Sequence, residues 1–296
     1  MGRIINYEIK TEYISRKISE FLKSQGYPEK CLTKLRHTEG ALKIDGKVIH
    51  MNYKPSAEDS LLTVEIKEDE SPSDIPPTDM ALDILYEDED ILVINKEPFV
   101  PIHPSINNYE NTLANAVAFY YEKQGKPFVY RCINRLDRDT TGITILAKHY
   151  LAAGILADSM KRREIHREYT AIVEGVPDPI EGTIDMPIAR ECESVIKRVV
   201  DFEKGESAVT HYKVTDTFRN RSKVVLNLET GRTHQIRVHM KAIGHPLLGD
   251  FLYNPEDKSS KRQALHAGKI SFVHPVTKKE MTITAPMPED MKLLID

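Results

Sequence analysis

The apolar positions of the first 67 residues follow two different periods. Helical spacing predicts one helix within residues 14–26 and a second helix over 29–37. Strand-like alternation then appears on both sides of Asp45-Gly46, a dipeptide typical of tight hairpin turns, and it returns over 61–66. The pattern therefore predicts a small α/β unit at the start of the chain.

Between residues 81 and 296 the apolar pattern is dominated by short strands. Strand-like runs occupy 90–95, 143–147, 168–175, 208–214 and 223–229. Helical spacing predicts helices near 113–122, 151–163 and 234–243. Strands with interspersed helices, several of the strands being adjacent in the chain, are typical of an α+β domain with an antiparallel or mixed sheet.

A short acidic segment lies between the two regions. Residues 68–80 combine aspartate and glutamate with several prolines and have almost no apolar side chains. Such a segment cannot join a hydrophobic core, and its composition is typical of a linker. The sequence therefore predicts three parts: a domain over 1–67, an acidic proline-rich linker over 68–80, and a larger domain over 81–296.

The composition is that of a globular protein. The chain has 296 residues, of which 40% are hydrophobic and 29% are charged, and this length suits two domains. No apolar run approaches the roughly 20 residues of a membrane span, and the first residues lack the apolar core of a signal peptide. We therefore expect no membrane partner.

The cysteine positions and the net charge indicate the cellular compartment and limit the kind of nucleic-acid binding that we expect. Cys31, Cys132 and Cys192 lie far apart and form neither a disulfide framework nor a zinc motif, which fits a reducing, cytoplasmic location. The net charge of −4 argues against a protein that coats nucleic acid indiscriminately. It still allows a local basic groove, because the acidic residues are unevenly placed.

The densest cluster of candidate chemistry is the segment INRLDRDTTG, residues 133–142. If this segment is extended, Arg135 and Asp137 point to one side and Leu136 points to the core. A turn at Thr-Thr-Gly then precedes a buried strand. A carboxylate that is half buried at such a junction needs a cationic partner to stay ionised.

Two later segments contain possible partners for this carboxylate. In REYTAIVEG (167–175) strand alternation places Tyr169 on an apolar face, where a tyrosine is usually ordinary packing unless it faces the carboxylate. In GRTHQIRVH (231–239) we expect a helix capped by Thr233, with Arg237 beside its apolar stripe. Residues 232–245 include three basic residues, three histidines and no acid, which produces a local positive field.

Other chemistries find less support in the residues. His234 and His239 are five positions apart, a poor spacing for zinc on a helix. The chain has no phosphate-binding loop, no GxSxG motif and no kinase motif in the required order. We therefore predict no metal site and no nucleotide cofactor. A glycosidase needs only two acids at a suitable separation, so the residue types leave that class of enzyme open.

These segments, in this order, resemble the RluA/RluD family of RNA pseudouridine synthases. That family usually has His-Arg-Leu-Asp where this chain has Asn-Arg-Leu-Asp (134–137), and Lys-x-Tyr where it has Arg-Glu-Tyr (167–169). The segment over 231–239 is similar to the third family motif. Further matches lie over 87–96, 244–250, 264–267 and 274–275, so the resemblance covers roughly residues 80–290.

The resemblance implies a fold, a reaction and a set of catalytic residues. It implies an α+β pseudouridine synthase domain with a mixed or antiparallel sheet and a central cleft, preceded by a small α/β S4-like RNA-binding domain. The implied reaction isomerises uridine to pseudouridine in ribosomal or transfer RNA and requires no cofactor or metal. Asp137 corresponds to the catalytic aspartate, Tyr169 to the aromatic residue against the target uracil, and Arg237 to the basic partner of Asp137.

The partner implied by the resemblance is RNA, and the family expectation for the assembly is a monomer. Arg135 would hold the flipped-out nucleotide or fill the space that it leaves. The other candidate RNA contacts are polar or basic side chains: Asn134, Arg138, Lys161, Arg162, Arg163, Lys197, Arg198, Arg232 and Lys241. A non-catalytic RNA-binding or ribosome-assembly protein with this fold is the alternative, and the complete set of aspartate, tyrosine and arginine argues against it.

Overall fold

The computed structural model describes residues 2–68, 75–106 and 108–295. Residues 69–74, which form much of the predicted linker, lie outside the described residues. The described residues form an N-terminal region and a larger region that follows it. Within these ranges no helix combines the length and the hydrophobicity needed to cross a membrane.

The N-terminal region is a four-stranded antiparallel sheet with two helices. Its elements are β1 (Arg3–Glu8), a 3₁₀ turn (Thr11–Tyr13), α1 (Ile18–Ser24), α2 (Glu29–His37), β2 (Leu42–Ile44), β3 (Lys47–Val48) and β4 (Leu61–Ile66). The strand order is β1-β4-β2-β3. Both predicted helices and the hairpin at Asp45-Gly46 are confirmed. The first helix begins at Ile18, later than predicted, because Ser15 has a left-handed φ of 66° that a helix excludes.

The larger region contains eleven strands and four helices. The strands are β5 (Asp83–Glu87), β6 (Ile91–Lys96), β7 (Thr141–Ala147), β8 (His166–Glu174), β9 (Glu181–Asp185), β10 (Ile188–Arg190), β11 (Arg198–Val200), β12 (Val209–Phe218), β13 (Arg221–Leu228), β14 (Leu265–Val273) and β15 (Glu280–Thr284). The helices are α3 (Leu113–Glu122), α4 (Tyr150–Lys161), α5 (Gln235–Ala242) and α6 (Glu289–Lys292).

Nine of these strands form one mixed sheet. The strand order is β5-β6-β7-β14-β8-β13-β12-β9, with β15 paired to β14. The β7–β14 pair is parallel, and its neighbours β6–β7 and β14–β8 are antiparallel. Strands β10 and β11 form a separate antiparallel pair. The predicted α+β class with a mixed sheet is confirmed.

Helices pack against both faces of this sheet. Helix α3 covers one face of β6 and β7 with Leu113 and Val117, whereas α4 contributes Leu156 to the opposite face. Helix α5 places Ile236 and Met240 against β8, β12 and β13. Successive strand residues point to opposite faces, so burial on both sides explains the continuous apolar runs of β6 and β7.

Helix α4 belongs to the cores of both regions. Leu151 and Ile155 are buried among the apolar side chains of the N-terminal region, whereas Leu156 packs in the larger region. The close approach depends on Gly154, because a Cβ at this position would lie 2.7 Å from the Sγ of Cys31. The two regions therefore share a hydrophobic contact.

Polar contacts cross the same junction. The Nε of Arg3 donates to Oδ1 of the buried Asp90 at 2.8 Å, and the Nε2 of His149 contacts the same oxygen at 2.9 Å. Glu68, the first residue of the predicted linker, pairs with Arg131. The start of the linker is therefore held by the larger region, and the domain boundaries themselves stay predictions.

We expect Gly154→Ala to destabilise the protein by about 1–3 kcal/mol, because the added methyl group meets the Cys31 sulfur. At an ordinary helix position the same change stabilises by about 1 kcal/mol. Urea denaturation measures the free energy of unfolding of the variant and of the wild type. Cys31→Ala is tested alone and in combination with Gly154→Ala. The double variant should recover most of the free energy of unfolding that Gly154→Ala loses. A single Gly154→Ala variant at least as stable as the wild type would contradict this packing.

Candidate active site

Three segments that are far apart in the chain meet at one cleft of about 840 Å³, a volume in the range of small-molecule sites. The loop before β7 carries Asp137, strand β8 carries Tyr169, and helix α5 carries Arg237. All three side chains line the cleft. The sheet brings them together, because β14 lies directly between β7 and β8.

Asp137 and Arg237 form a direct ion pair. The Nη1 of Arg237 donates to Oδ2 of Asp137 at 3.0 Å. The arginine side chain is 3% exposed, whereas that of Asp137 is 27% exposed and faces the cleft. The other oxygen, Oδ1, receives no hydrogen bond from any residue that the structure describes. An ionised carboxylate with one open oxygen can act as a base or as a nucleophile.

A second carboxylate holds Arg237 from behind. The Nε and Nη2 of Arg237 donate to the two oxygens of Asp250 at 2.7 and 2.8 Å, and Asp250 is fully buried. Burial alone would lower the pKa of Arg237, but the hydrogen bonds and charges of Asp250 and Asp137 raise it above its ordinary value. The guanidinium therefore stays protonated and bridges two carboxylates.

Tyr169 forms a buried wall of the cleft. It is 5% exposed and lies between Leu226 of β13 and Ala267 of β14. Burial raises the pKa of Tyr169 above its ordinary value, and the charge of Arg167 opposes this shift only in part. The phenol is therefore neutral, and a flat neutral ring in this position suits contact with a nucleobase.

Buried cations fix the loop that carries Asp137. The Nζ of Lys96, at the end of β6, donates to the carbonyl oxygen of Arg138 at 2.8 Å and to two carbonyls of the loop after β6. The Nη1 of Arg262 donates to the carbonyl oxygen of Asp139 at 3.1 Å. Lys96 and Arg262 are each 1% exposed. The backbone around Asp137 is therefore attached to two separate parts of the fold.

Asn134 connects the loop that carries Asp137 to strand β7. It is 4% exposed. Its Nδ2 donates to the carbonyl oxygen of Ile143, and its Oδ1 accepts the N–H of Ile145, both at 2.8 Å. Because both ends of the amide bind β7, Asn134 anchors the loop to the strand that follows it. Asn134 also lines the cleft, and its contact with RNA stays a prediction.

His234 is a residue of the site to which the sequence assigned no role. It has a left-handed φ of 59° and occupies the N-cap position of α5, so the predicted cap at Thr233 is wrong. The Nε2 of His234 lies 3.9 Å from Oδ2 of Asp137. Burial lowers the pKa of His234, and the carboxylate of Asp137 offsets this only in part, so the ring is neutral at pH 7.

The expected RNA contacts fall into two groups. Arg135, Arg138, Lys161, Arg163 and Arg232 line the cleft, whereas Arg162, Lys197, Arg198 and Lys241 are not among its described lining residues. Several of these cations already have an acidic partner: Arg138 with Asp139, Arg163 with Glu229, and Arg232 with Glu206. The pairs of Arg163 and Arg232 are partly exposed on both sides, and such pairs are worth little, so these two cations can exchange a carboxylate for a phosphate at small cost. The carboxylate that pairs with Arg138 is buried.

Sequence reasoning assigned no role to Lys96, Asp250 or Arg262. Lys96 and Asp250 lie in segments that carry the family resemblance, and each stands next to an apolar run or a turn. Nothing in the sequence connects Lys96 to a carbonyl group 42 positions later. That contact depends on the pairing of β6 with β7, which periodicity alone does not predict.

One group of described residues, Asp88, Asp90 and His274, has the spacing of a metal site. Its atoms are already engaged, because Nε2 of His274 contacts Oδ2 of Asp88 at 2.8 Å and Arg3 and His149 contact Asp90. The guanidinium of Arg3 supplies the positive charge there. The group lies at the junction of the two regions, outside the cleft residues, and we interpret it as a structural ion-pair network.

This fold and this cleft define a family of RNA-modifying isomerases. The family model for RNA pseudouridylate synthase matches residues 90–242, a range that includes Asp137, Tyr169 and Arg237. The chain belongs to the RNA pseudouridine synthase family. The family and the enzyme class predicted from the sequence are confirmed.

Individual relatives agree with the family model. The chain is 41% identical to the uncharacterized RNA pseudouridine synthase YjbO of Bacillus subtilis (strain 168), over 94% of this chain and 98% of that protein. It is 42% identical to ribosomal large subunit pseudouridine synthase D of Escherichia coli (strain K12), over 74% and 71% of the two chains. A solved structure, human RNA pseudouridylate synthase domain containing 1, is similar with a TM-score of 0.57 and 26% identity, covering 73% of this chain and 86% of that chain.

We expect Lys96→Met to destabilise the protein by about 2–4 kcal/mol, because three partly buried carbonyl groups lose their donor. Burial lowers the pKa of Lys96 to about 7, and the three acceptors use all the donors of the protonated form. Turnover per folded molecule should also fall, since the loop around Asp137 loses an anchor.

The matched control is Lys148→Met, a half-buried lysine that pairs with Glu87 and does not contact this loop. It should lower stability in urea denaturation and leave turnover per folded molecule intact. Wild-type stability in the Lys96 variant would contradict the anchoring role.

Proposed function

We propose that this enzyme converts specific uridines of structured RNA to pseudouridine, with Asp137 as the catalytic carboxylate. The observation that carries the proposal is the pair of Asp137 with the buried Arg237, in a cleft that Tyr169 also lines. The reaction breaks the bond from ribose to a uracil nitrogen, turns the base and rejoins it through carbon 5. Protein side chains suffice for this chemistry, because nothing is oxidised and nothing is added.

Asp137 acts on the ribose of the target nucleotide. It either attacks the anomeric carbon or removes the 2′ proton, and both steps need an ionised carboxylate with an oxygen open to the cleft. Arg237 places a positive charge 3.0 Å from Oδ2 of this carboxylate. The interaction is strong because the guanidinium is almost fully buried, where the effective dielectric constant is low.

Tyr169 supports the base while it is detached. The target uracil must first leave its stack, at a cost of a few kcal/mol that is smallest for an unpaired base. The neutral ring of Tyr169 then offers a flat surface on which the base can turn. Arg135 is exposed and lines the cleft, so it can hold the flipped nucleotide or fill the gap in the RNA.

Contacts to phosphate groups offset the cost of base flipping. The cleft residues Arg163 and Arg232 are suitable donors, because each pairs with a partly exposed carboxylate that a phosphate can replace. Arg138 is about half exposed and can offer a remaining N–H group to a phosphate while it stays paired with Asp139. Lys161 also lines the cleft, and the remaining candidates extend the basic surface beyond it: Arg162, Lys197, Arg198 and Lys241. Binding through such contacts weakens steeply as the salt concentration rises.

The N-terminal region provides a second RNA contact, in the manner of an S4-like domain. Lys17, Arg36, His50 and Asn52 line a shallow hollow of about 500 Å³ on this region. Lys17 and Arg36 are exposed and have no acidic partner among the described residues. Exposed cations around a hollow are suited to the phosphate groups of a folded RNA.

Ribosomal RNA is the first substrate to examine. The name of the Escherichia coli relative assigns that enzyme to the large ribosomal subunit. Transfer RNA is the second substrate class, and both are available to a monomeric enzyme in the cytoplasm. Pseudouridine mapping of total RNA, from cells with and without the gene, identifies the target uridines.

We expect Asp137→Asn to abolish pseudouridine formation in the same mapping experiment, because an amide cannot act as the base or the nucleophile. RNA affinity should stay within a few-fold of the wild type, since the amide keeps the size of the carboxylate. Asp139→Asn is the matched control in the same loop and should retain measurable turnover. Substantial turnover by the Asp137 variant would remove this residue from the catalytic role.

We expect the double variant Lys17→Glu/Arg36→Glu to bind substrate RNA at least about tenfold more weakly than the wild type. The slope of the logarithm of the binding constant against the logarithm of the salt concentration should become less steep by about one unit for each lost phosphate contact. Filter binding at several salt concentrations measures both quantities. Lys123→Glu/Lys126→Glu makes the same change of net charge outside the hollow and the cleft. Equal losses in the two double variants would argue against a binding site in the N-terminal region.

A further inference from the structure

A tight turn over 249–254 lies behind the pair of Asp137 and Arg237. Asp250 in this turn is fully buried and accepts the N–H groups of Leu252 and Tyr253 at 3.0 and 3.1 Å, in addition to two bonds from Arg237. Both carboxylate oxygens are therefore fixed. The backbone of the turn determines where Asp250 sits, and Asp250 determines the orientation of Arg237.

The same turn also orients His234. The hydroxyl group of Tyr253 accepts the N–H of Arg198 at 2.9 Å and contacts Nδ1 of His234 at 2.9 Å. Because this hydroxyl already accepts one hydrogen bond, its own proton is available for Nδ1. A neutral imidazole then carries its proton on Nε2. That N–H is on the side of Asp137, with Nε2 at 3.9 Å from Oδ2.

The backbone of His234 gives independent support for a positioning role. Its φ of 59° is in the left-handed region, which costs free energy for a residue other than glycine. Such a conformation persists where the surrounding structure holds it, and it is common at functional sites. Here the packing of the His234 ring against Tyr253, with centroids 5.7 Å apart, directs the imidazole to Asp137.

Arg237 and His234 approach the same oxygen of Asp137. Their distances to Oδ2 are 3.0 and 3.9 Å, whereas Oδ1 has no hydrogen-bond donor among the described residues. We propose that Asp250 is the positioning residue of this active site. It holds Arg237 on Oδ2 of Asp137 directly and, through Tyr253, holds His234 near that oxygen, so that Oδ1 is the oxygen that reacts with the ribose. This inference rests on the proposed function.

A single partner would not fix the guanidinium in this way. Arg237 contacts Asp137 through one nitrogen, so this bond alone leaves the side chain free to rotate about it. The two parallel bonds to Asp250 define the plane of the guanidinium. Tyr253 adds a ring whose centroid lies 5.0 Å from the Cζ of Arg237.

Asp250→Asn tests this role with little change of volume. The amide offers one acceptor where Arg237 needs two, so we expect kcat to fall about 100-fold through misplacement of Asp137 and Arg237. KM and the Kd for RNA should change less than about threefold, because Asp250 is buried behind the cleft. Asp250→Glu keeps both carboxylate oxygens and the negative charge. Its kcat should be at least about tenfold higher than that of Asp250→Asn.

Asp257→Asn is the matched control. Asp257 accepts the N–H of Gly249 and so supports the same turn, but it does not contact Arg237. A role in stability alone would lower the melting temperature of both variants and leave kcat per folded molecule intact. A folded Asp250→Asn protein with kcat within about threefold of the wild type overturns the proposal. Equal losses of kcat in the Asp250 and Asp257 variants also overturn it.

Tyr253→Phe keeps the test decisive if Asp250→Asn fails to fold. This variant retains the pair of Asp250 and Arg237 and removes the hydroxyl group that orients His234. We expect kcat to fall about tenfold with RNA affinity retained, and an unchanged kcat would contradict the proposal. Failure of the proposed function has a different signature, since the wild-type protein itself would then form no pseudouridine.

Discussion

One buried arginine imposes the main constraint on this structure. Moving a guanidinium out of water costs several kcal/mol, and only well-placed anionic partners offset that cost. Arg237 obtains them from two separate parts of the chain, with Asp137 before β7 and Asp250 after α5. The loop, the helix and the turn must therefore come together for the arginine to be buried, and bringing them together also creates the cleft.

The sheet makes this meeting possible through one unusually close pair of strands. Gly142 in β7 has a φ of 112°, and a Cβ there would lie 2.3 Å from the carbonyl oxygen of Ala267 in β14. A side chain at this position would push β7 away from β14. Because β8 with Tyr169 lies on the other side of β14, the distance between the carboxylate and the phenol ring depends on this glycine.

The sequence predicted the local structure well and the long-range contacts poorly. The helices, the Asp45-Gly46 hairpin and the three site segments follow from periodicity, turn chemistry and family resemblance. Seven strands escaped prediction: β1, β5, β9, β10, β11, β14 and β15. The residues of β1, for example, are mostly exposed or half-buried in a six-residue element, which leaves a weak apolar signal. The roles of Lys96 and Asp250 depend on neighbours that only the strand order and the turn after α5 supply. The anchoring role of Asn134 also escaped prediction, since its amide binds the backbone of β7, the strand that follows its loop.

If the N-terminal hollow binds RNA as proposed, the shared helix α4 has a consequence for how a substrate is chosen. Leu151 and Ile155 lock the N-terminal hollow to the same helix whose Leu156 is embedded beneath the catalytic sheet. Helix α4 therefore connects the N-terminal hollow to the catalytic sheet and defines the spacing between the hollow and the cleft in this structure. A transcript that occupies both places at once must present its uridine at that distance, so three-dimensional shape can discriminate among uridines that have identical neighbouring bases.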